Sequence, residues 1–420
     1  MTLLYRWTIL SYTGCPEEDF SIGKSETRYV FLVVLPLFVL AHFSHHLVSA
    51  LITPLLPFIR DSFSLSYTRA GLLVSGFTIT YGIAQLPGGW LSDRLGYASL
   101  IVVGISGVAV FGLLFGLTAS YAPLLIFLVL MGFAGGGYHP SASPLVSFAA
   151  GENKSGRALG IHQIGGTASY FLAPLIAVGI AKAFGWRGSF MLLSAITLMY
   201  GIVFYLLLRR WGYTKFERHD DSDLNKETQL QGEPLRRFVP VVIVSSAIQV
   251  FMFSSVSFIP LYVVDSLSGS KEAAAALLSV SHSAGLWAGP LAGFLSDRLG
   301  KKPIILFTAA ISGPLIFLLN HVSLGAGIVV VLLFFGVAQY TSMPVTEAYI
   351  IGNTSRKNRS TVLGIYYLIS RGGPGLITVL LGWLTDRYGF HTAFGSAAAC
   401  MGAVFAVCTV LIIKNGGFRE

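Results

Sequence analysis

Apolar residues in this chain come in long unbroken runs rather than at the alternating positions of strands. Runs long enough for a helix to cross a bilayer core, about 20 residues, recur twelve times. They fall near 30–58, 68–91, 98–118, 121–148, 157–182, 187–208, 238–264, 273–295, 303–320, 324–350, 361–384 and 391–413. The first is long and carries Pro54 and Pro57 near its end. No segment shows the short alternating pattern of an outer-membrane barrel. The pattern predicts an all-α polytopic membrane protein with twelve transmembrane helices.

Composition agrees. Only 11% of residues are charged and 54% are hydrophobic, whereas a soluble domain carries about 25% charged residues. The net charge of +9 raises the question of a nucleic-acid partner, and its distribution answers it. With the N-terminus inside, 21 Lys and Arg fall on the cytoplasmic side, 6 on the other, and Arg371 inside a span. Such a bias is the topological signature of a membrane protein; it predicts a multi-pass inner-membrane protein with both termini cytoplasmic and no nucleic-acid partner. Residues 1–28 lack the apolar core and cleavage site of a signal peptide and are expected to form a cytoplasmic tail. Cys15, Cys400 and Cys408 have neither metal nor disulfide spacing.

The hexapeptide LSDRLG occurs at 91–96 and again at 295–300, an offset of 204 residues. The same offset superposes His139-Pro140 on Met343-Pro344, Leu159-Gly160-Ile161 on Leu363-Gly364-Ile365, Gly185 on Gly389, and Phe190 on Phe394. One ungapped shift therefore relates two six-helix halves, 29–210 and 238–414. Between them lies a polar linker, 211–237, and a short tail, 415–420, closes the chain. Each half has an even number of spans, so the repeat is parallel. Parallel repeats build one class of secondary transporter, with the substrate site between the halves near mid-bilayer.

GGWLSDRLGY (88–97) and AGFLSDRLGKKP (292–303) resemble the G-x-L-x-D-R-x-G-[RK]-[RK] signature of the major facilitator superfamily. The first copy ends in Tyr97-Ala98 where basic residues are usual. The resemblance extends over 29–414 and implies the major facilitator fold. It also implies gating roles for Asp93, Arg94, Gly96, Asp297, Arg298 and Gly300. Within the superfamily, AHFSHHLVSAL, YHPSAS and LGIHQIGG are similar to the fosmidomycin-resistance branch. Ser141 and His46 stand where that branch tends to carry Glu and Asp.

Ionisable groups inside a span are costly and default to functional candidates. Arg371 is the base, about eleven residues into its span and followed by Gly-Gly-Pro-Gly. Its fork suits a carboxylate or phosphate, or it forms a structural ion pair with Glu347 of the preceding span. Glu347, on one helical face with Tyr340, Met343 and Pro344, is a proton-carrier candidate or a gate contact. His42, His46, Ser49 and Thr53 form a polar stripe along span 1, with His46 and His139 as further proton-coupling candidates. Substrate-binding candidates are Arg371, His42, His46, Tyr138, His139, Gln163, Tyr340 and Tyr367. His-x-x-His-His shows no carboxylate or cysteine partner in sequence, so no metal site is expected, and no cofactor. No phosphate-binding loop or HExxH motif is present, which argues against an enzyme. The expectation is a monomeric secondary transporter in the lipid bilayer that exports a small, anionic organic solute against protons. Uptake of an organic acid is the alternative, and a membrane sensor on the same fold a third.

Overall fold

The computed structural model describes residues 30–151, 154–212 and 234–416, leaving aside the side chains of 356–360. The tail at 1–28, most of the linker and residues 417–420 lie outside the described residues. Every regular element among the described residues is helical, as lipid demands: only helices or closed barrels satisfy all backbone hydrogen bonds within the membrane.

Among the described residues, eight helical stretches are long and apolar enough to cross a membrane. Two of them, Ser155–Arg210 and Thr361–Lys414, have 56 and 54 residues. At about 1.5 Å per residue each would be far longer than the apolar core is thick. Both break at a glycine: Gly185 (φ 71°, ψ 166°) and Gly389 (φ 79°, ψ 171°) adopt backbone geometry open to glycine. The Ser189 hydroxyl donates to the Ala177 carbonyl at 2.7 Å, a pairing twelve residues apart that only a folded-back chain allows. Two further helices, less uniformly apolar, complete twelve crossings. In chain order these are α1 (Val30–Phe63), α2 (Tyr67–Leu95), α3 (Tyr97–Leu117) and α4 (Tyr121–Ala150). The two limbs of Ser155–Arg210 are α5 and α6, and α7 is Leu235–Asp265. Next, α8 runs through Lys271–Ser283, a 3-10 turn and Ala288–Leu299; α9 is Lys301–His321 and α10 Ala326–Asn353. Finally α11 starts at Arg356, passes a π-helical turn at Leu368–Gly372 and ends at Gly389, where α12 begins.

The 204-residue repeat is visible in the backbone. Besides Gly185 and Gly389, Gly96 (φ 86°, ψ 139°) and Gly300 (φ 88°, ψ 151°) end α2 and α8 in the same conformation. Helix crossings repeat too. A Cβ on Gly132 of α4 would lie 2.5 Å from the Phe77 carbonyl oxygen of α2, and one on Gly336 of α10 would collide with the Ser281 carbonyl oxygen of α8. Both members of each pair are 204 residues apart.

The halves meet along two seams, α2 against α11 and α5 against α8. The first is built on glycine: Gly71 faces the Thr378 carbonyl, Gly82 the backbone of Gly372, Gly375 the side chain of Ile79, and Gly382 the Tyr67 carbonyl. In lipid, where apolar side chains gain nothing by leaving solvent, such close backbone approach is a main source of helix association.

Gly336→Ala is expected to lower the melting temperature of the detergent-purified protein, because forcing atoms into a packed site costs about 1–3 kcal/mol. Gly352→Ala, with nothing within 4 Å of the added carbon, is expected to leave it unchanged. Equal melting temperatures for both would contradict the crossing described.

Candidate functional site

Midway along the seams the polar side chains of both halves converge. In the N-terminal half, α1 contributes His42, His45 and His46, all 6% exposed or less. His42 Nδ1–H donates to the His162 carbonyl of α5 at 2.9 Å, and its ring stacks on His162 with centroids 4.4 Å apart. His45 Nδ1–H donates to the Gly104 carbonyl of α3 at 3.2 Å, while its Nε2 accepts from the Tyr81 hydroxyl of α2 at 3.3 Å. His46 Nε2 lies 3.2 Å from His139 Nε2 of α4.

From there a chain of polar rings crosses to the other half. The Tyr170 hydroxyl of α5 meets His46 Nδ1 at 3.4 Å. The Tyr170 ring lies against His282 of α8, centroids 5.5 Å apart. The Tyr340 hydroxyl of α10 meets His282 Nδ1 at 2.9 Å. Beside this chain, Arg371 rests on the π-helical turn of α11, its backbone pressed against Gly82. Its guanidinium donates to the Met343 sulfur at 2.8 Å. Among the described residues no ion pair joins Arg371 to Glu347; the Glu347 carboxylate instead accepts from the Tyr367 hydroxyl of α11. The π turn sits where Arg371-Gly-Gly-Pro interrupts the helix, a common place for local function.

The site residues expected from sequence are therefore placed unevenly. His42, His46, His139, Tyr340, Glu347, Tyr367 and Arg371 come together at the half–half boundary. Tyr138 does not line it: fully buried, its ring stacks on His45 at 4.2 Å, behind the histidines, where Gly104 lets it press against α3. Gln163 is exposed on α5, and no hydrogen bond joins its side chain to the ring cluster among the described residues. Tyr170, His282, His45 and Tyr81 also join the ring cluster; His45 and His282 stand out in sequence as histidines within spans, whereas Tyr170 and Tyr81 do not. Tyr170 lies eight residues beyond His162, on the same face of α5, which is the signal that would have found it. Ser49 and Thr53, lower on the α1 stripe, line a small cavity with Tyr170, His282, Phe253 and Val256.

The two ends of the molecule differ. At the end of residues 60–67 a network joins the halves: Arg60 forms a two-pronged ion pair with Asp265, Tyr67 donates to Asp265 at 2.8 Å, and Lys271 pairs with Asp61 at 2.6 Å. Asp386 accepts from the backbone N–H groups of Tyr67 and Thr68 at 2.7 and 2.8 Å, capping α2 from the opposite half. At the linker end the duplicated motif makes local contacts instead. Asp93 accepts from the Tyr97 hydroxyl at 2.6 Å, Arg94 lies over Trp90 at 4.0 Å, and Arg298 over Phe294 at 4.2 Å. Asp93, Arg94, Asp297 and Arg298 are all exposed.

Comparison with known proteins places this architecture. The family model described as Major Facilitator Superfamily matches residues 38–281 and 241–416. A multidrug resistance protein MdtG of Enterobacter lignolyticus is 27% identical over 88% of this chain and 89% of its own length. The uncharacterized MFS-type transporter YfnC of Bacillus subtilis is 25% identical over 90% and 91%. Among solved structures, a peptide transporter POT in complex with sulfate superposes with a TM-score of 0.76 at 12% identity, over 96% of this chain and 97% of that one. A bacterial homolog of the human lysosomal transporter Spinster, inward-facing and unoccupied, gives 0.72 at 17%, over 94% and 99%.

The network at residues 60–67 is expected to hold that end shut. In a cysteine-free background carrying Thr53→Cys, Asp265→Asn should raise the rate of maleimide labelling at least about threefold, the effect of roughly 0.65 kcal/mol. An unchanged rate would mean that packing alone closes this end.

Proposed function

Because the chain belongs to the Major Facilitator Superfamily, we propose that it is a secondary transporter that exports a small organic anion across the inner membrane in exchange for protons. The observation that carries the anionic reading is Arg371, a permanent charge at the half–half boundary whose guanidinium is held by a thioether rather than a carboxylate. A thioether is a weak acceptor and leaves most of the guanidinium's donors for a solute. The relatives named multidrug resistance protein support export over uptake.

In the proposed cycle His42, His46, His139, Tyr340 and Tyr367 line the path of the solute around Arg371. Glu347, held by Tyr367, carries the coupling proton, with His46 and His139 as a second exchangeable pair. Solute and proton then compete, through the field of Arg371, for the same occupied state. Asp93, Arg94, Asp297 and Arg298, which make no cross-half polar contact among the described residues, engage when the linker end closes and the Arg60–Asp265 network opens. Gly96 and Gly300 set the turns that carry them. With both termini cytoplasmic, the end joined by the Arg60–Asp265 network is the one facing away from the cytoplasm.

The test is flux into proteoliposomes under an imposed pH gradient, with carboxylates, phosphonates and lipophilic cations as solutes. Arg371→Gln is expected to cut anion affinity about 10- to 100-fold, the scale of a lost charge-assisted contact. Anion transport unaffected by Arg371→Gln, or confined to cations, would refute the anionic reading. Glu347→Gln is expected to abolish accumulation driven by the pH gradient while downhill exchange persists; gradient-driven accumulation retained in this variant would remove Glu347 from coupling.

A further inference from the structure

The rings of His42, His46 and His139 form a nearly equilateral triangle, with centroids 5.0, 5.1 and 5.2 Å apart. One ring nitrogen from each lies within 4.8 Å of the other two. We propose that this triad binds one divalent transition-metal ion of the Zn2+, Co2+ and Ni2+ class, whichever solute the protein moves.

Three features carry the proposal. The first is spacing: the His46 and His139 Nε2 atoms are 3.2 Å apart, near the edge of a tetrahedron with metal–nitrogen bonds of about 2.0–2.1 Å. Facing nitrogens this close must share a proton or share a cation. The second is orientation. His42 Nδ1–H is committed to the His162 carbonyl, so Nε2 keeps its lone pair, as in metal-binding histidines steered by a backbone carbonyl. Once His46 binds through Nε2, its Nδ1–H donates to the Tyr170 hydroxyl at 3.4 Å. The third is room. A Cβ on Gly166 of α5 would stand 2.6 Å from both Cε1 and Nε2 of His42, so glycine there is what lets this ring take its place.

The donor set selects the ion. Three neutral imidazoles with no carboxylate suit borderline ions and discriminate against Mg2+ and Ca2+, which seek oxygen. Three protein ligands leave a fourth position open to water or a small anion. The third ligand was out of reach in sequence because His139 sits on α4, 93 residues beyond His46. A bound ion takes the lone pairs of His46 and His139, so in the metal-loaded protein coupling rests on Glu347 alone.

The experiment uses the full chain, purified on a histidine-free tag and stripped with chelator. Co2+ titration is followed by its ligand-field absorption, and Zn2+ titration by calorimetry. The expected result is one ion per chain, with affinity reduced at least tenfold in His139→Gln and, separately, in His46→Gln. His321→Gln, in the distant pair with His391, serves as the control and is expected to bind as the parent does. Metal-free melting temperatures identify the variants that remain folded, and either triad variant suffices. Absence of saturable binding to the parent, unchanged affinity in a folded triad variant, or loss confined to His321→Gln would each overturn the proposal.

Discussion

The backbone contact between α2 and α11 is the constraint on which the rest of the site depends. Gly82 approaches Gly372 so closely that an added Cβ would lie 2.6 Å from its Cα, and 3.4 Å from the Arg371 carbonyl carbon. Arg371 belongs to the C-terminal half, yet this contact sets it beside Tyr81 and, through Tyr81, beside His45. Larger residues along the seam would push the guanidinium out of reach of the histidines. The seam is lined by glycine at its closest points and held by van der Waals contact along its length, with hydrogen bonds from the Ser75 hydroxyl to the Gly375 carbonyl and from Thr68 to Asp386.

Closure at one end is supplied by a different kind of force. Arg60 and Asp265 are 17% and 21% exposed, so their paired hydrogen bonds are partly shielded and worth more than an open surface pair. Asp386 adds a carboxylate at the start of α2, where free N–H groups and the helix dipole both favour a negative charge. Each of these contacts joins one half to the other. The duplicated motif, at the opposite end, makes its polar and ring contacts within its own half among the described residues. Tyr97 occupies the place of a basic residue in the first copy and satisfies Asp93 there. Arg94 and Arg298 fold over aromatic rings four residues earlier, at positions 204 residues apart. Among the described residues, the cross-half ion pairs are thus those at the end of residues 60–67, and the proposed cycle assigns the duplicated motif the closure of the other end.

Much of this was legible in the sequence because it is periodic. Twelve apolar runs needed only length, and the repeat needed only one offset; that offset recovered Gly96 with Gly300 and Gly185 with Gly389 before their shared backbone geometry was seen. The convergence of side chains was less legible. Periodicity says which residues share a helix face, as it did for His42, His46, Ser49 and Thr53, but not which faces meet. That depends on helix rotation and on close approaches such as Gly165 on Val39 or Gly132 on Phe77. Hence Tyr138, adjacent to His139 in sequence, turned out to lie behind the cluster, while Tyr170 and His282 proved to bridge the halves. The choice between an Arg371–Glu347 pair and a free Arg371 was likewise beyond sequence, since Met343 takes the position beside the guanidinium.

The electrostatic character of the cluster follows from these placements. Among the described residues, the groups of the N-terminal half gathered near Arg371 are imidazoles and phenols, which supply dipoles and lone pairs. The acid on this level, Glu347, is engaged by Tyr367. Arg371 is half-buried and, among the described residues, lies near Glu347 without forming an ion pair with it. On the proposed reading, the donors of Arg371 not used by Met343 are those that a mobile anion would occupy. Under the proposed transport cycle the occupant is the solute anion. On that reading the chain would stabilise the occupied cavity more than the empty one, the differential that any ligand-driven shift between conformations requires.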